Sequence, residues 1–426
     1  MSPSGSKGAW PLDEPFSQEG APPITGWRKT FTSLHSRNYR YFYMGQGTSL
    51  VGSWTRSAAL SWLAWIWTKS EFMTGLVSFM NTLPILLFAL YAGSLADRHP
   101  KLSVFRATSW FALLSSTTFG VILLLGHHAS WLLLLFAALW GTAMAFEMPS
   151  RQALIVELVG PKDLSNAIAL NSAMVNASRV LGPPIAGFLL STVGAAWCFL
   201  VDAASYIAVL FGISRIRIAE TSRTKGPGST WAHLRIGLDY VVKDPLLART
   251  FGLLMVMSLG GWSYQSQLAP FVSKTLHQEA AGYGWIMAMN GLGACTGALL
   301  VAFLHDKLKT QFPAYLGTLI FSICIILVGF QTHPLGAAFF LFFAGFGLIL
   351  FFSTSNSFLH THCPNELRGR VMGLWALVFG GGTPLGILLM GLLAEKYGSA
   401  QAFQSGALFC LLAGSAVYFI GKRPRR

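Results

Sequence analysis

Three ionisable side chains lie inside long apolar segments of this chain: Arg56, Arg179 and Asp202. A charged group at the depth of a bilayer is energetically costly, so such residues commonly pair with one another or serve a function. Counted along each helix at about 1.5 Å per residue, all three fall in the middle to outer part of the membrane. Two interpretations stay open. The residues form a buried ion pair that holds helices together, or one arginine faces a central cavity and attracts a carboxylate, catecholate or phosphate group.

Polar and aromatic side chains form a second group of candidates, in the C-terminal half of the chain. They are Trp262, Tyr264 and Gln265 in the seventh apolar segment, Asn290 in the eighth and Asn356 in the tenth. Such side chains suit contacts with an amphipathic organic substrate. They also suit hydrogen bonds that hold membrane helices together, so both interpretations stay open here as well.

The composition places the chain in a membrane. Of its 426 residues, 53% are hydrophobic and only 11% are charged, whereas soluble domains carry about 25% charged residues. The net charge of +14 does not indicate nucleic-acid binding, because the basic residues are spread over loops between apolar segments. The sequence has no Walker-type phosphate loop, no metal-ligand spacing and no nucleophile motif. We therefore predict no enzymatic activity, no cofactor and no metal site.

Twelve apolar runs are long enough to cross a bilayer core of about 30 Å as helices. Their predicted spans are Tyr41–Trp67, Phe72–Ala96, Leu102–Leu125, Ser130–Phe146, Ala167–Thr192, Trp197–Ser214, Thr250–Val272, Tyr283–Leu304, Pro313–Gln331, Leu335–Leu359, Val371–Leu393 and Ala402–Ile420. The sequence therefore predicts an all-α integral membrane protein with twelve transmembrane helices in two six-helix bundles.

The loops divide the chain and orient it. We predict a disordered tail at residues 1–35, six-helix bundles at 36–214 and 250–421, a linker with an amphipathic helix at 215–249, and a basic tail at 422–426. Basic residues are concentrated in segments on one side of the membrane, so both termini are predicted to be cytoplasmic. The start of the chain lacks the apolar core of a signal peptide. We expect a multi-pass protein of the bacterial cytoplasmic (inner) membrane.

The loop between the second and third predicted helices carries Gly93, Asp97, Arg98 and Lys101. Glycine lets two helices approach closely, the aspartate can pair with a cation or cap a helix, and the basic residues favour the cytoplasmic side. This pattern resembles the signature loop of the major facilitator superfamily of transporters. The resemblance implies two six-helix bundles that rock about a central site, with this loop as a conformational gate.

The fifth predicted helix contains Gly182, Pro183, Pro184 and Gly187. Small residues allow close helix contact, and the prolines remove backbone donors and bend the helix. The stretch resembles the helix-5 antiporter motif of the superfamily, which goes with export. Further segments, at residues 37–46, 148–153, 163–172 and 364–372, resemble the branch of enterobactin exporters and macrolide-efflux proteins.

The resemblance implies a secondary active transporter that exports an amphipathic small molecule, either a siderophore or a drug, by proton antiport. Asp202 is the predicted proton carrier, because it is the one acid well inside a predicted span. Arg56 is the preferred substrate residue, since helix 1 lines the cavity in this family. The fourth predicted helix, Ser130–Phe146, contains no arginine. Glu147 is placed at its inner end, where it could pair with Arg151 or a neighbouring loop.

Other functions stay open at this point. The same fold could move a lipid or lysolipid, or import a metabolite. A non-transporting membrane receptor or scaffold is the alternative from another class. For the transporter, the expected partners are a small-molecule substrate, the lipid bilayer and protons, with no nucleic acid, and we expect a monomer.

Overall fold

A computed structural model describes residues 26–217, 230–304 and 310–420. Within these ranges the regular secondary structure is helical and no β-strand occurs, which confirms the predicted all-α class. The predicted basic tail at 422–426 lies outside the described residues, as do parts of the linker.

Twelve helices of the described chain form two sets of six, and a further one, which we call the linker helix, joins them. Their bounds are α1 Arg37–Thr68, α2 Glu71–Arg98, α3 Lys101–Leu124, α4 Ser130–Gly160, α5 Asp163–Thr192, α6 Ala195–Arg215, the linker helix Thr230–Lys243, α7 Pro245–Thr275, α8 Ala280–Phe303, α9 Phe312–Val328, α10 Pro334–His362, α11 Asn365–Tyr397 and α12 Ser399–Ile420. Ten of these described helices are long and apolar enough to cross a membrane. The helices α1 and α9 complete the twelve, and α9 is apolar but only 17 residues long.

The last ten residues of the predicted disordered tail are helical in the structure, and residues 1–25 lie outside the described residues. Gly26–His35 forms a 3-10 helix, and the backbone N–H of Ser33 donates to Asn166 Oδ1 at 3.0 Å. This contact holds the segment against the start of α5. Composition alone predicted disorder, since it cannot reveal a contact with Asn166, which lies 133 residues further along the chain. The next residues follow local rules, since the Ser36 side chain accepts a hydrogen bond from Tyr39 N and caps α1.

Helix α4 is much longer than the predicted span Ser130–Phe146. It continues to Gly160, where a φ of +69° turns the chain into α5. The prediction ended the helix where charged residues begin. In the structure, Glu147 and Arg151 pair one helical turn apart at 3.3 Å, so neither charge interrupts the helix. The predicted span Ser130–Phe146 contains no arginine, whereas the longer helix of the structure includes Arg151.

The two halves, α1–α6 and α7–α12, repeat the same close helix crossing. In the N-terminal half, a Cβ on Gly182 of α5 would lie 2.4 Å from Trp54 Cβ of α1. In the C-terminal half, a Cβ on Gly386 of α11 would lie 2.1 Å from the Leu259 carbonyl oxygen of α7. Both crossings join the first and fifth helices of their half, as expected for a transporter built from repeated halves.

The linker helix begins where the sequence predicted it. Gly237 approaches α11, since a Cβ there would lie 3.1 Å from the Arg370 carbonyl oxygen. Val241 is buried, whereas Leu238 of the predicted apolar face is 48% exposed. An exposed leucine beside a buried valine is compatible with a helix on the membrane surface, and that location stays a prediction.

Candidate transport site

The carboxylate of Asp202 in α6 is fully buried within the N-terminal half and paired with Arg56 of α1. Arg56 Nε donates to Asp202 Oδ2 at 2.8 Å. The hydroxyl of Ser116 in α3 donates to the same oxygen at 2.6 Å, and that of Ser53 donates to Oδ1 at 3.3 Å. The Arg56 guanidinium also lies 4.4 Å from the ring centroid of Trp140 in α4. Four helices thus converge on one ion pair, which favours a structural role for Arg56 over its predicted contact with substrate.

A second buried ion pair lies in the extended part of α4. Glu147 and Arg151 are 5% and 8% exposed, and Gln46 of α1 lies beside the Glu147 carboxylate. Glu147 was placed at the inner end of the helix by the sequence and lies 13 residues before its end instead. Asp202 is therefore not the only acid far from both ends of a described helix. The sequence offered Arg151 as a partner for Glu147, and the structure shows this pair.

The third candidate charge, Arg179 of α5, lies where the two halves meet. Its guanidinium carbon is 5.1 Å from the ring centroid of Trp54 and 5.2 Å from that of Trp262. The first tryptophan belongs to α1 and the second to α7. Arg179 is 8% exposed, and no acidic side chain pairs with it among the described residues. Trp54 was not among the sequence candidates.

The other candidates of the C-terminal half divide into two groups. Trp262, Gln265 and Asn356 are partly exposed. Tyr264 is 1% exposed and packs against aromatic rings of α9 and α12. Asn290 donates through Nδ2 to a carbonyl oxygen of α10 at 2.9 Å, which is the helix-holding role left open by the sequence.

The helix that carries Trp262 is irregular around it. The π-helical segment Met257–Gly261 ends at Trp262, whose N–H donates to the Met257 carbonyl at 2.9 Å. The 3-10 segment Ser263–Gln267 follows directly. Single π turns are frequent at functional sites because they redirect side chains. Periodicity did not predict this change in backbone geometry.

Glycines bring the two halves together near one end of the bundle. We call this the closed end. It holds the connections at residues 69–70, 193–194, 276–279 and 398, together with the helix ends that adjoin them. A Cβ on Gly284 of α8 would lie 2.5 Å from the Pro183 carbonyl oxygen and 3.1 Å from Gly187 Cα, both in α5. A Cβ on Gly75 of α2 would lie 2.9 Å from Gly391 Cα of α11. The helix-5 motif thus supplies one of the two glycine-to-glycine crossings between the halves that occur among the described residues.

The residues of the helix-5 motif contact both halves of the protein. Gly187 contacts the other half, whereas Gly182 contacts α1 within its own half, where the Thr55 hydroxyl donates to the Gly182 carbonyl at 3.1 Å. Pro183 is buried and Pro184 is partly exposed. The role of the helix-5 motif as a pivot between the halves stays a prediction.

Charged residues fasten the closed end across the halves. Lys274 Nζ of α7 lies 2.9 Å from Glu71 Oε1 of α2. From α11, Glu395 Oε2 accepts from the backbone N–H of Phe72 at 2.9 Å and from the Ser70 hydroxyl at 3.0 Å. Glu395 thus caps the N-terminus of a helix in the other half. The sequence candidates omitted these residues, because their partners lie more than 200 residues away along the chain.

The signature loop lies at the opposite end. Helix α2 ends at Arg98 and α3 begins at Lys101, whose Nζ pairs with Glu157 Oε1 of α4. The side chains of Asp97 and Arg98 lie outside the described residues. A Cβ on Gly93 would meet no described atom within 4 Å. Among the described atoms, the close helix approach predicted at Gly93 does not occur in this conformation. The close glycine crossings between the halves lie at the closed end instead.

A family profile described as "Transmembrane secretion effector" matches residues 28–425, nearly the whole chain. The chain belongs to this family of major facilitator transporters. It is a multi-pass membrane transporter and not an enzyme, as its sequence predicted.

Curated relatives include transporters of siderophores and drugs. The Staphyloferrin A transporter of Staphylococcus aureus is 24% identical, over 90% of this chain and 96% of that protein. The multidrug efflux pump Tap of Mycolicibacterium fortuitum is 24% identical, over 88% and 93%. The enterobactin exporter EntS of Escherichia coli is 25% identical, over 91% and 92%.

Solved structures share the fold at low sequence identity. A bacterial homologue of the human lysosomal transporter Spinster, in an inward-facing and unoccupied conformation, superposes with a TM-score of 0.70 at 16% identity, covering 93% of this chain and 98% of that chain. The nucleoside transporter NupG gives a TM-score of 0.70 at 11% identity, over 91% and 100%. These likenesses support the twelve-helix arrangement in two bundles.

Replacing Glu395 with Gln is expected to loosen the closed end. The amide keeps the size of the side chain but removes the charge that caps α2. The loss of a capping charge should shift the equilibrium between the closed and the open form of this end by about fivefold. Alkylation of a cysteine at Ala280, which is 7% exposed, should increase by about that factor in a cysteine-free background. Glu366→Gln, at the other end of the same helix, is the matched control and should leave the labelling unchanged. Equal labelling of both variants would remove Glu395 from the closed-end contacts.

Proposed function

We propose that this protein exports an amphipathic small molecule, a siderophore or a drug, by proton-coupled alternating access. The observation that carries the proposal is the arrangement of the glycine crossings. Two crossings related by the repeat hold the halves together at the closed end. At the opposite end, Cβ atoms on Gly93, Gly369 and Gly373 would meet no described atom within 4 Å. Halves fastened at one end can rock about a site between them.

The distribution of basic residues supports the orientation. Loops and helix ends at the closed end carry only Lys69, Lys274 and Lys396 of the 30 lysines and arginines. By the positive-inside rule that end faces outward and both termini are cytoplasmic. The conformation then faces the cytoplasm, as an exporter must in order to load its substrate. The Spinster homologue with the same fold is described as inward-facing.

The proposed substrate class rests on the names of the curated relatives. Three of them are named for staphyloferrin A, multiple drugs and enterobactin, and each covers nine-tenths or so of the chain. Glu147 and Asp202 are the acids that could exchange a proton, since both lie deep in the N-terminal half and both face an arginine. We expect the protein to act as a monomer, with the cavity formed by its own two halves.

Transport can be tested in cells with and without the gene. Secreted metabolites are compared under iron starvation, and drug accumulation is compared under drug challenge, each with and without a protonophore. Export that is lost on deletion, restored by the gene and abolished by the protonophore would support the proposal. Identical secretion and accumulation in both strains would contradict it, and export that survives the protonophore would refute proton coupling. Altered lipid distribution between leaflets, with unchanged export, would indicate a lipid transporter instead.

A further inference from the structure

The buried charges of the membrane helices leave one cation unbalanced. Five Asp, Glu, Lys or Arg residues lie more than six residues from both ends of a described membrane helix, and they are Arg56, Glu147, Arg151, Arg179 and Asp202. Four of them form two ion pairs. An ion pair without a net charge has little attraction for a distant anion. Arg179 therefore carries the net positive charge of this region, and a desolvated guanidinium gains most from an anionic oxygen.

Aromatic rings surround this cation and extend from it into the C-terminal half. Trp262, which contacts the Arg179 guanidinium, packs edge-on against Phe352 of α10 at 5.6 Å and Phe379 of α11 at 5.5 Å between ring centroids. Trp375 stacks on Phe379 at 5.7 Å. All four rings are partly exposed. We call these four residues, Trp262, Phe352, Trp375 and Phe379, the aromatic wall.

The aromatic wall also contains a polar group without a partner. The indole Nε1–H of Trp375 is buried and has no hydrogen-bond partner among the described residues. A buried donor without an acceptor is costly, and Trp375 is one of eleven described residues with a buried polar side-chain atom of this kind. Because protein atoms cover the Nε1–H in this conformation, a ligand oxygen would reach it only after the wall rearranges.

We infer that Arg179 and the aromatic wall form the substrate site, and that the site takes an organic anion whose charge is carried on or next to an aromatic ring. The guanidinium binds the carboxylate or phenolate oxygen through charge-assisted hydrogen bonds. The planar ring lies against the wall, where ring contacts add to the burial of apolar surface. A cationic compound would be repelled by the unbalanced arginine. The inference rests on the proposed function, because it names the substrate class of that transporter.

The site also joins the two halves. Arg179 contacts Trp54 in the N-terminal half and Trp262 in the C-terminal half, and a Cβ on Gly291 of α8 would lie 2.8 Å from the Arg179 carbonyl oxygen. An anion that draws the guanidinium toward itself competes with these cation–π contacts. Binding is thereby linked to the contact between the halves, as a substrate-driven change of conformation requires.

The test uses the purified full-length protein in lipid nanodiscs and three probes. These are 2-naphthoate, its neutral amide 2-naphthamide, and octanoate, which has the charge without the ring. Titration calorimetry should show 2-naphthoate binding about tenfold or more tightly than either other probe. Equal binding of 2-naphthamide would exclude the role of the charge. Equal or tighter binding of octanoate would exclude the aromatic wall and indicate a fatty-acid-like or lipid substrate.

Variants locate the site. Arg179→Gln should weaken 2-naphthoate binding about tenfold or more and leave 2-naphthamide unchanged, whereas Trp375→Phe should weaken both by a smaller factor. Arg179→Lys keeps the charge and should retain part of the affinity. Lys396→Gln, at the exposed closed end, is the matched control and should bind all probes like the wild type. Wild-type affinity of Arg179→Gln for 2-naphthoate would overturn the inference.

The outcome is separable from that for the proposed function. If cells export a siderophore or drug and the Arg179→Gln variant exports it equally well, the transporter proposal stands and this site is wrong. If no export is found while the purified protein binds 2-naphthoate through Arg179, the site stands and the export proposal is wrong. Because the comparison of three probes needs only the wild-type protein, a variant that fails to fold leaves the inference testable.

Discussion

Replacing Gly284 with Leu should abolish transport, with a decrease of at least about tenfold, while the protein still inserts and folds. The first added carbon alone would lie 2.5 Å from the Pro183 carbonyl oxygen and 3.1 Å from Gly187 Cα. These are backbone atoms, so α5 and α8 must separate and the closed end cannot form. Close packing at small residues holds membrane helices together, and overpacking there has no local remedy. The conformational equilibrium should move toward a state that is open at this end.

Two measurements check this result. A membrane-impermeant maleimide should label a cysteine at Ala280 strongly in the Gly284→Leu background and weakly without it. Gly75→Leu, at the repeat-related crossing, should act in the same way because its added carbon would lie 2.9 Å from Gly391 Cα. Ala302→Leu adds comparable volume on an exposed face of α8 and should preserve transport. Normal transport and weak labelling in Gly284→Leu would show that the closed end is not part of the transport cycle.

Replacing Asp202 with Ala should destabilise the N-terminal half by about 3–5 kcal/mol, because it leaves Arg56 buried without its partner. Asp202 is 0% exposed and Arg56 is 7% exposed, so solvent cannot replace the lost carboxylate. The hydroxyls of Ser53 and Ser116 would lose their acceptor as well. Thermal unfolding of the purified protein should report the change as a clear loss of stability.

A double variant separates stability from function. Replacing both Arg56 and Asp202 with Leu removes the two charges together, and such exchanges are often neutral or stabilising. The double variant should therefore recover most of the stability lost in Asp202→Ala. If the pair is structural, transport recovers as well. If Asp202 carries the proton, the double variant is stable and inactive. A double variant as unstable as Asp202→Ala would contradict the assignment of a single ion pair.

The motifs were informative to different degrees. The helix-5 glycines were recognised from their spacing, and Gly187 does contact a glycine of the other half. The signature loop is in place between α2 and α3, yet Gly93 makes no close contact in this conformation. A motif residue can make its contact in another conformation of the transport cycle. A single conformation therefore shows only some of the contacts that the motif makes.

The sequence by itself determined the class of the protein, the number and order of its helices and three of its five deeply buried charges, Arg56, Arg179 and Asp202. Hydropathy and charge are properties of each residue, and counting along a helix gives the depth of a side chain. Only the tertiary structure decided which way each side chain points around its helix and which helix it meets. Arg56 thus pairs with Asp202, 146 residues away, and Arg179 lies between tryptophans of both halves. The depth of a side chain follows from its position along one helix, whereas its contacts depend on how all twelve helices pack.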